Sequence, residues 1–132
     1  MNDPGSQAGV QVLIVDDNVD TTDSMAMLLE MAGHRVETAQ DGRSALEAAS
    51  RRRPDVVLLD VGLPDISGLE LARRLRQAIE GRLSIIGISG HGRDQDHLAA
   101  RQAGIDLYLV KPVDPGRIVA LVESAGKAGN GD

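Results

Sequence analysis

Short aliphatic runs recur along the chain at 12–15, 36–39, 56–59, 83–88 and 107–110, and after each the apolar residues return at helical spacing. Several runs are continuous rather than alternating, which is the pattern of strands buried on both faces of a parallel sheet. Behind the first run, Met25, Leu28, Leu29 and Ala32 fall at i, i+3, i+4 and i+7, and Gly33 supplies a stop. Ser67 is placed to cap a helix carrying Leu71, Leu75, Ala78 and Ile79, which Gly81 ends. Asp94 caps a shorter helix closed by Gly104. Asp114 and Pro115 open a last one that buries Ile118, Leu121, Val122 and Ala125. The weakest helical pattern is at 41–53, where Leu46 is the one large apolar residue and Pro54 closes the segment. Five strand–helix units predict an α/β domain, an open, doubly wound (βα)5 parallel sheet with helices on both faces.

At 132 residues the chain has room for one domain, expected at 10–125, with polar segments at 1–9 and 126–132 as flexible tails. With 42% hydrophobic residues but one Tyr and no Phe or Trp, its core must be aliphatic. The absence of cysteine excludes disulfides, thiolate metal sites and cysteine catalysis. A net charge of −6 argues against nucleic acid or an anionic membrane as partner, since both call for a basic footprint. No run approaches the ~18 apolar residues of a membrane span, and the opening residues are polar, so a cytoplasmic domain without a signal peptide is expected.

In doubly wound sheets, ligands bind outside the carboxyl ends of the strands, where the strand order reverses. Here those ends carry Asp16 and Asp17, Asp60, Ser89, and Lys111 followed by Pro112. Clustered carboxylates raise one another's pKa unless a cation neutralises them, and an all-oxygen ligand set suits Mg²⁺ better than Zn²⁺. Such a cation, an ammonium and a small hydroxyl together would stabilise a phosphoryl group. Single aspartates at strand ends are commonly caps or turn formers, the reading given to Asp20, Asp41, Asp65 and Asp94. Only the joint placement of the set carries weight.

The strings Val12-Leu13-Ile14-Val15-Asp16-Asp17-Asn18, Val57-Leu58-Leu59-Asp60 with Gly62-Leu63-Pro64, Ile88-Ser89-Gly90 and Lys111-Pro112 resemble the receiver domain of bacterial two-component response regulators, of the chemotaxis-regulator type. The likeness covers roughly 11–125 and implies the flavodoxin-like strand order 2-1-3-4-5. It implies that Asp60 accepts a phosphoryl group from a histidine kinase or a histidine phosphotransfer protein. Asp17, Asp60 and the backbone carbonyl of Gly62 would bind Mg²⁺ (or Mn²⁺) directly, with Asp16 acting through water. Lys111 would pair with Asp60 and then with the phosphoryl oxygens, and Ser89 and Tyr108 would form the switch. A cis Lys111–Pro112 bond is implied too, and a downstream protein would be met on the surface of the fourth helix, fifth strand and fifth helix. Gly62 and His91 flank the approach of water to the phosphoryl group. Gly90 stands where the family commonly has Ala, and Val113 where it often has Phe. The Gly-Leu-Pro and Val-Lys-Pro-Val-Asp wording is similar to receivers of hybrid sensor kinases.

Other readings fit less well. Gly87, Gly90 and Gly92 follow a strand but lack the Gly-x-Gly-x-x-Gly order of a dinucleotide site, and no Walker loop is present. His34, His91 and His97 are scattered over a turn, a loop and a helix. Arg51, Arg52 and Arg53 read as a solvated helix end. A docking module independent of phosphorylation would be expected to lack Asp17, Asp60 or Lys111, and all three are present. A DNA-binding output is not expected, since no winged helix follows Ser124 in this chain.

Overall fold

The computed structural model describes residues 9–90 and 97–130. Five strands, β1 (Gln11–Val15), β2 (Arg35–Ala39), β3 (Val56–Asp60), β4 (Ser84–Ser89) and β5 (Leu107–Val110), alternate with five helices. These are α1 (Val19–Met31), α2 (Gly42–Arg51), α3 (Gly68–Ala78), α4 (His97–Ala103) and α5 (Pro115–Asn130). All strand pairs are parallel, in the order 2-1-3-4-5. The expected doubly wound sheet is therefore present. Its central strands β1 and β3 are buried along their whole length, which is why their sequences do not alternate.

Strand alternation then divides the core in two. Leu13, Val15, Val57, Leu59 and Ile85 face α2, α3 and α4. Val12, Ile14, Val56, Leu58, Ile86 and Ile88 face α1 and α5, where Leu29, Ile118 and Val122 are fully buried. Truncating Ile118 to Ala would cost about 2–5 kcal/mol by the usual cavity penalty.

Local caps set the helix boundaries. Asn18, Asp41 and Ser67 accept from the backbone N–H groups of Thr21, Ser44 and Glu70. The segment with the weakest pattern, α2, is stabilised by a capping box between Asp41 and Ser44 and buries Ala45, Ala48 and Ala49, small residues that seat it close to the sheet. Gly33, Gly81 and Gly104, the expected stops, take positive φ angles of 99°, 90° and 102°.

The boundary at 125 needs correction, because α5 continues to Asn130. Gly126, expected from the sequence to start a flexible tail, is buried, and a Cβ at that position would collide with Val10. The glycine is there for close packing against the start of the sheet, so the helix has tertiary support where its side chains turn small. Residues 1–8, His91, Gly92 and Asp94 lie outside the described residues.

Candidate functional site

The switch point of a 2-1-3-4-5 sheet lies between β1 and β3, because the chain leaves β1 toward one edge and returns past it to the other. The carboxyl ends of those two strands carry the acidic residues. Asp16 directly follows β1 and is 6% exposed, Asp17 is exposed, and Asp60, the last residue of β3, is 9% exposed. One carboxylate oxygen from each of the three lies within 4.8 Å of the others. This is the only group of three or more potential metal-ligating side chains among the described residues. Its oxygen-only donor set and excess of acid fit a hard divalent cation.

Two backbone donors orient the carboxylates. Asn18 N–H donates to Asp16 Oδ1 at 2.9 Å, and Gly62 N–H donates to Asp60 Oδ1 at 2.9 Å. Lys111, just beyond β5, brings its Nζ to 3.6 Å from Asp16 Oδ2 and 4.0 Å from Asp60 Oδ2. Its peptide bond to Pro112 is cis. One ammonium thus faces two of the three carboxylates. Burial raises the Asp60 pKa above the ordinary carboxylate value, with Asp16 and Asp17 adding to the rise, while Gly62 N–H and Lys111 oppose it. A cation between the three carboxylates would relieve that strain.

Ser89 ends β4 and is 1% exposed, and its carbonyl accepts from Lys111 N–H at 2.8 Å, which extends the β4–β5 ladder to the site lysine. Tyr108 is half-buried on β5, packed against the core under α2, α3 and α4. Asp16, Asp17, Asp60, Ser89 and Lys111 are therefore all at the carboxyl edge, with Tyr108 on β5 three residues before Lys111.

Asp20, exposed in the first turn of α1, and Asp41 at the start of α2 have the helix-terminal positions expected of them. Asp65 does more than the turn role assigned to it. Its carboxylate crosses to α2, accepting from Gly42 N–H at 2.9 Å and Arg43 N–H at 3.1 Å, and so ties the loop after Asp60 to a neighbouring helix. The capping role of Asn18 was also missed, although an Asn directly before helical periodicity is a cap signal. His34 makes structural contacts. It is buried, Nδ1 accepts from Val10 N–H at 3.3 Å, and Nε2 lies 3.3 Å from Glu123 Oε2. It fastens α5 to the opposite end of the sheet.

A family profile described as "Response regulator receiver domain" matches residues 12–123. The chain belongs to the response regulator receiver domain family. Among curated relatives, it is 36% identical over 117 residues to an uncharacterized 14.6 kDa protein of Leptolyngbya boryana, covering 88% of this chain and 89% of that one. It is 43% identical over 103 residues to the probable transcriptional regulatory protein TcrX of Mycobacterium tuberculosis, covering 78% of this chain and 44% of TcrX. The chain thus spans less than half the length of that regulator. In structure it is similar to a CheY-like receiver domain protein from Methanospirillum hungatei, with a TM-score of 0.85, 27% identity, and coverage of 92% and 96% of the two chains. Membership makes this receiver a two-component signalling domain whose family binds Mg²⁺ at an aspartate cluster and works with histidine kinases. No helix among the described residues is long and apolar enough to cross a membrane.

Proposed function

We propose that Asp60 is the phosphoacceptor of this receiver. The observation that carries the reading is the shared pocket of Asp16, Asp17 and Asp60, with Lys111 at 3.6 Å from Asp16 and 4.0 Å from Asp60. Gly62 N–H engages Asp60 Oδ1, so Oδ2, the oxygen facing Lys111, is the nucleophile. It attacks the phosphorus of a phosphohistidine on the donor protein. The O–P bond forms as the P–N bond breaks, and the imidazole nitrogen leaves with the electron pair and takes up a proton. A divalent cation, Mg²⁺ or Mn²⁺, held by Asp17, Asp60 and the Gly62 carbonyl with Asp16 through water, would supply charge neutralisation at the phosphoryl oxygens. Lys111 pairs with the same oxygens, and the buried Ser89 hydroxyl meets the phosphoryl group.

A groove of about 390 Å³ between α1 and α5, lined in part by Thr21, Met25, Leu28 and Pro115, opens beside Asn18 and gives the donor an apolar footing next to the acceptor. Phosphorylation then biases a two-state equilibrium read by a downstream protein on the surface of α4, β5 and α5. Catalysis is confined to the domain's own phosphorylation and dephosphorylation. The intact acidic set and lysine favour this over a phosphorylation-independent docking role.

The test is incubation with acetyl phosphate, with and without Mg²⁺, followed by intact-mass measurement. A single phosphoryl adduct that needs the metal and vanishes in Asp60→Asn is expected. Persistence of the adduct in that variant would move the acceptor elsewhere.

A further inference from the structure

Gly87 stands in the interior of β4, in a sheet otherwise filled with branched aliphatic residues. A glycine there forgoes side-chain packing and adds backbone entropy to the unfolded state, so it marks a place where another group comes close. Its own backbone asks for no glycine, since Gly87 is not among the positive-φ positions. The reason lies across the ladder. Gly87 is the register partner of Tyr108 on β5. A Cβ at 87 would stand 3.2 Å from Tyr108 Cδ1 and 3.2 and 3.3 Å from Ile105 Cγ2 and Cδ1, tighter than ordinary van der Waals contact. The Tyr108 side chain therefore lies over the bare backbone of β4, on the face that also carries Ile85 and the core beneath α2, α3 and α4.

We infer that Gly87 is a positioning residue, a seat that holds the Tyr108 ring inward. The inference rests on the phosphoacceptor reading of Asp60 and departs from the expectation that Tyr108 moves with Ser89, since in this chain the ring is already seated. The space for the ring is made by the missing side chain at 87, not by a displacement of Ser89. The inward position therefore does not wait on the phosphoryl group, and phosphorylation is transmitted through Ser89 and the surface of α4 while the ring stays seated. A ligand shifts an equilibrium only by its differential affinity for the two states, and an aromatic already inward offers little differential.

Tyr108 is the chain's only aromatic residue, so intrinsic fluorescence reports on it alone. The experiment is acrylamide quenching of the full chain, with and without Mg²⁺ and beryllium fluoride as phosphoryl mimic. The wild-type quenching constant is expected to lie well below that of N-acetyltyrosinamide and to change by less than about 1.5-fold on adding the mimic. Gly87→Val should raise it about twofold or more by displacing the ring, and Gly87→Ala should raise it less, because its contacts need only a few tenths of an ångström of relief. If Gly87→Val loses its circular dichroism spectrum, the Ala variant carries the comparison. A twofold or larger fall in the wild-type constant with the mimic, or no change in either variant that folds, overturns the proposal. Mimic binding is scored separately, by protection of the chain from the acetyl phosphate mass shift. If no metal-dependent adduct forms at all, the Asp60 reading fails, while the ligand-free comparison of Gly87 variants still decides the seat.

Discussion

The two ends of β3 carry the same residue type and put it to opposite uses. Asp55, just before the strand, is surrounded by donors. Its Oδ2 accepts from Gln11 N–H at 2.9 Å, its Oδ1 faces Arg53 Nη1 at 3.9 Å, and Arg53 goes on to donate to the carbonyls of Glu80 and Arg82. Asp106, on the same edge of the sheet, accepts from Ile85 N–H and pairs with Arg76 at 2.7 Å. Asp60, at the other end of β3, shares one lysine with Asp16, has Asp17 in the same cluster, and is pushed toward its neutral form by burial. Where an aspartate has a backbone N–H and an arginine to itself, it closes a structural joint. Where acidic oxygens crowd together, charge is left over that a cation could neutralise.

The sharpest way to break this contrast is to neutralise one carboxylate at each edge. Asp17→Asn should lower Mg²⁺-dependent phosphorylation by acetyl phosphate by roughly 100-fold, on the scale lost with a metal ligand's charge. Asp55→Asn should phosphorylate at the wild-type rate by the same mass assay. Equal effects at both edges would erase the distinction. Lys111→Met comes next, with phosphorylation slowed about tenfold, as for removal of one charge-stabilising donor. Its thermal stability should change little, since the pairs it makes are long and Lys111 is partly exposed.

At the structural edge, Asp55→Ala should cost about 1–3 kcal/mol in urea unfolding, because it leaves the N–H of the buried Gln11 without its acceptor. A loss below a few tenths of a kcal/mol would mean that water replaces the carboxylate.

The smallest effects are in pH dependence, and they have opposite signs. In chelator, Asp60 holds its proton more tightly folded than unfolded. Its share of stability therefore grows as pH falls through its raised pKa toward the ordinary value, and Asp60→Asn should flatten that arm. Asp65 is held below the ordinary carboxylate value chiefly by Gly42 N–H. Its contribution is present above the ordinary value and lost as pH falls through the lowered one. Stability curves between neutral and acid pH for Asp60→Asn and Asp65→Asn should therefore diverge from wild type in opposite directions.

Much of the fold could be read along the chain because local physics wrote it there. The unbroken aliphatic runs of β1 and β3 record burial on both faces, and Ser67 and Asp114 mark helix starts by the chemistry of unpaired N–H groups. The site was legible for a related reason. A parallel sheet puts every strand's carboxyl end on one edge, so the residue after each aliphatic run is already a candidate. Gly126 reads differently in space, because a glycine's linear context cannot tell a flexible tail from a close approach to Val10. Asp65 was underread for the same reason, since its partners are more than twenty residues away on α2.

The sequence by itself determined the alternation of elements, the aliphatic core and the set of acidic and basic groups available at one edge. Only the tertiary structure decided which aspartate meets the lysine, which one closes a joint with Arg53, and which glycine makes room for the single aromatic ring. Periodicity and capping are properties of neighbours in sequence. Charge balance and free space are properties of neighbours in space, and they exist only once the strands lie side by side.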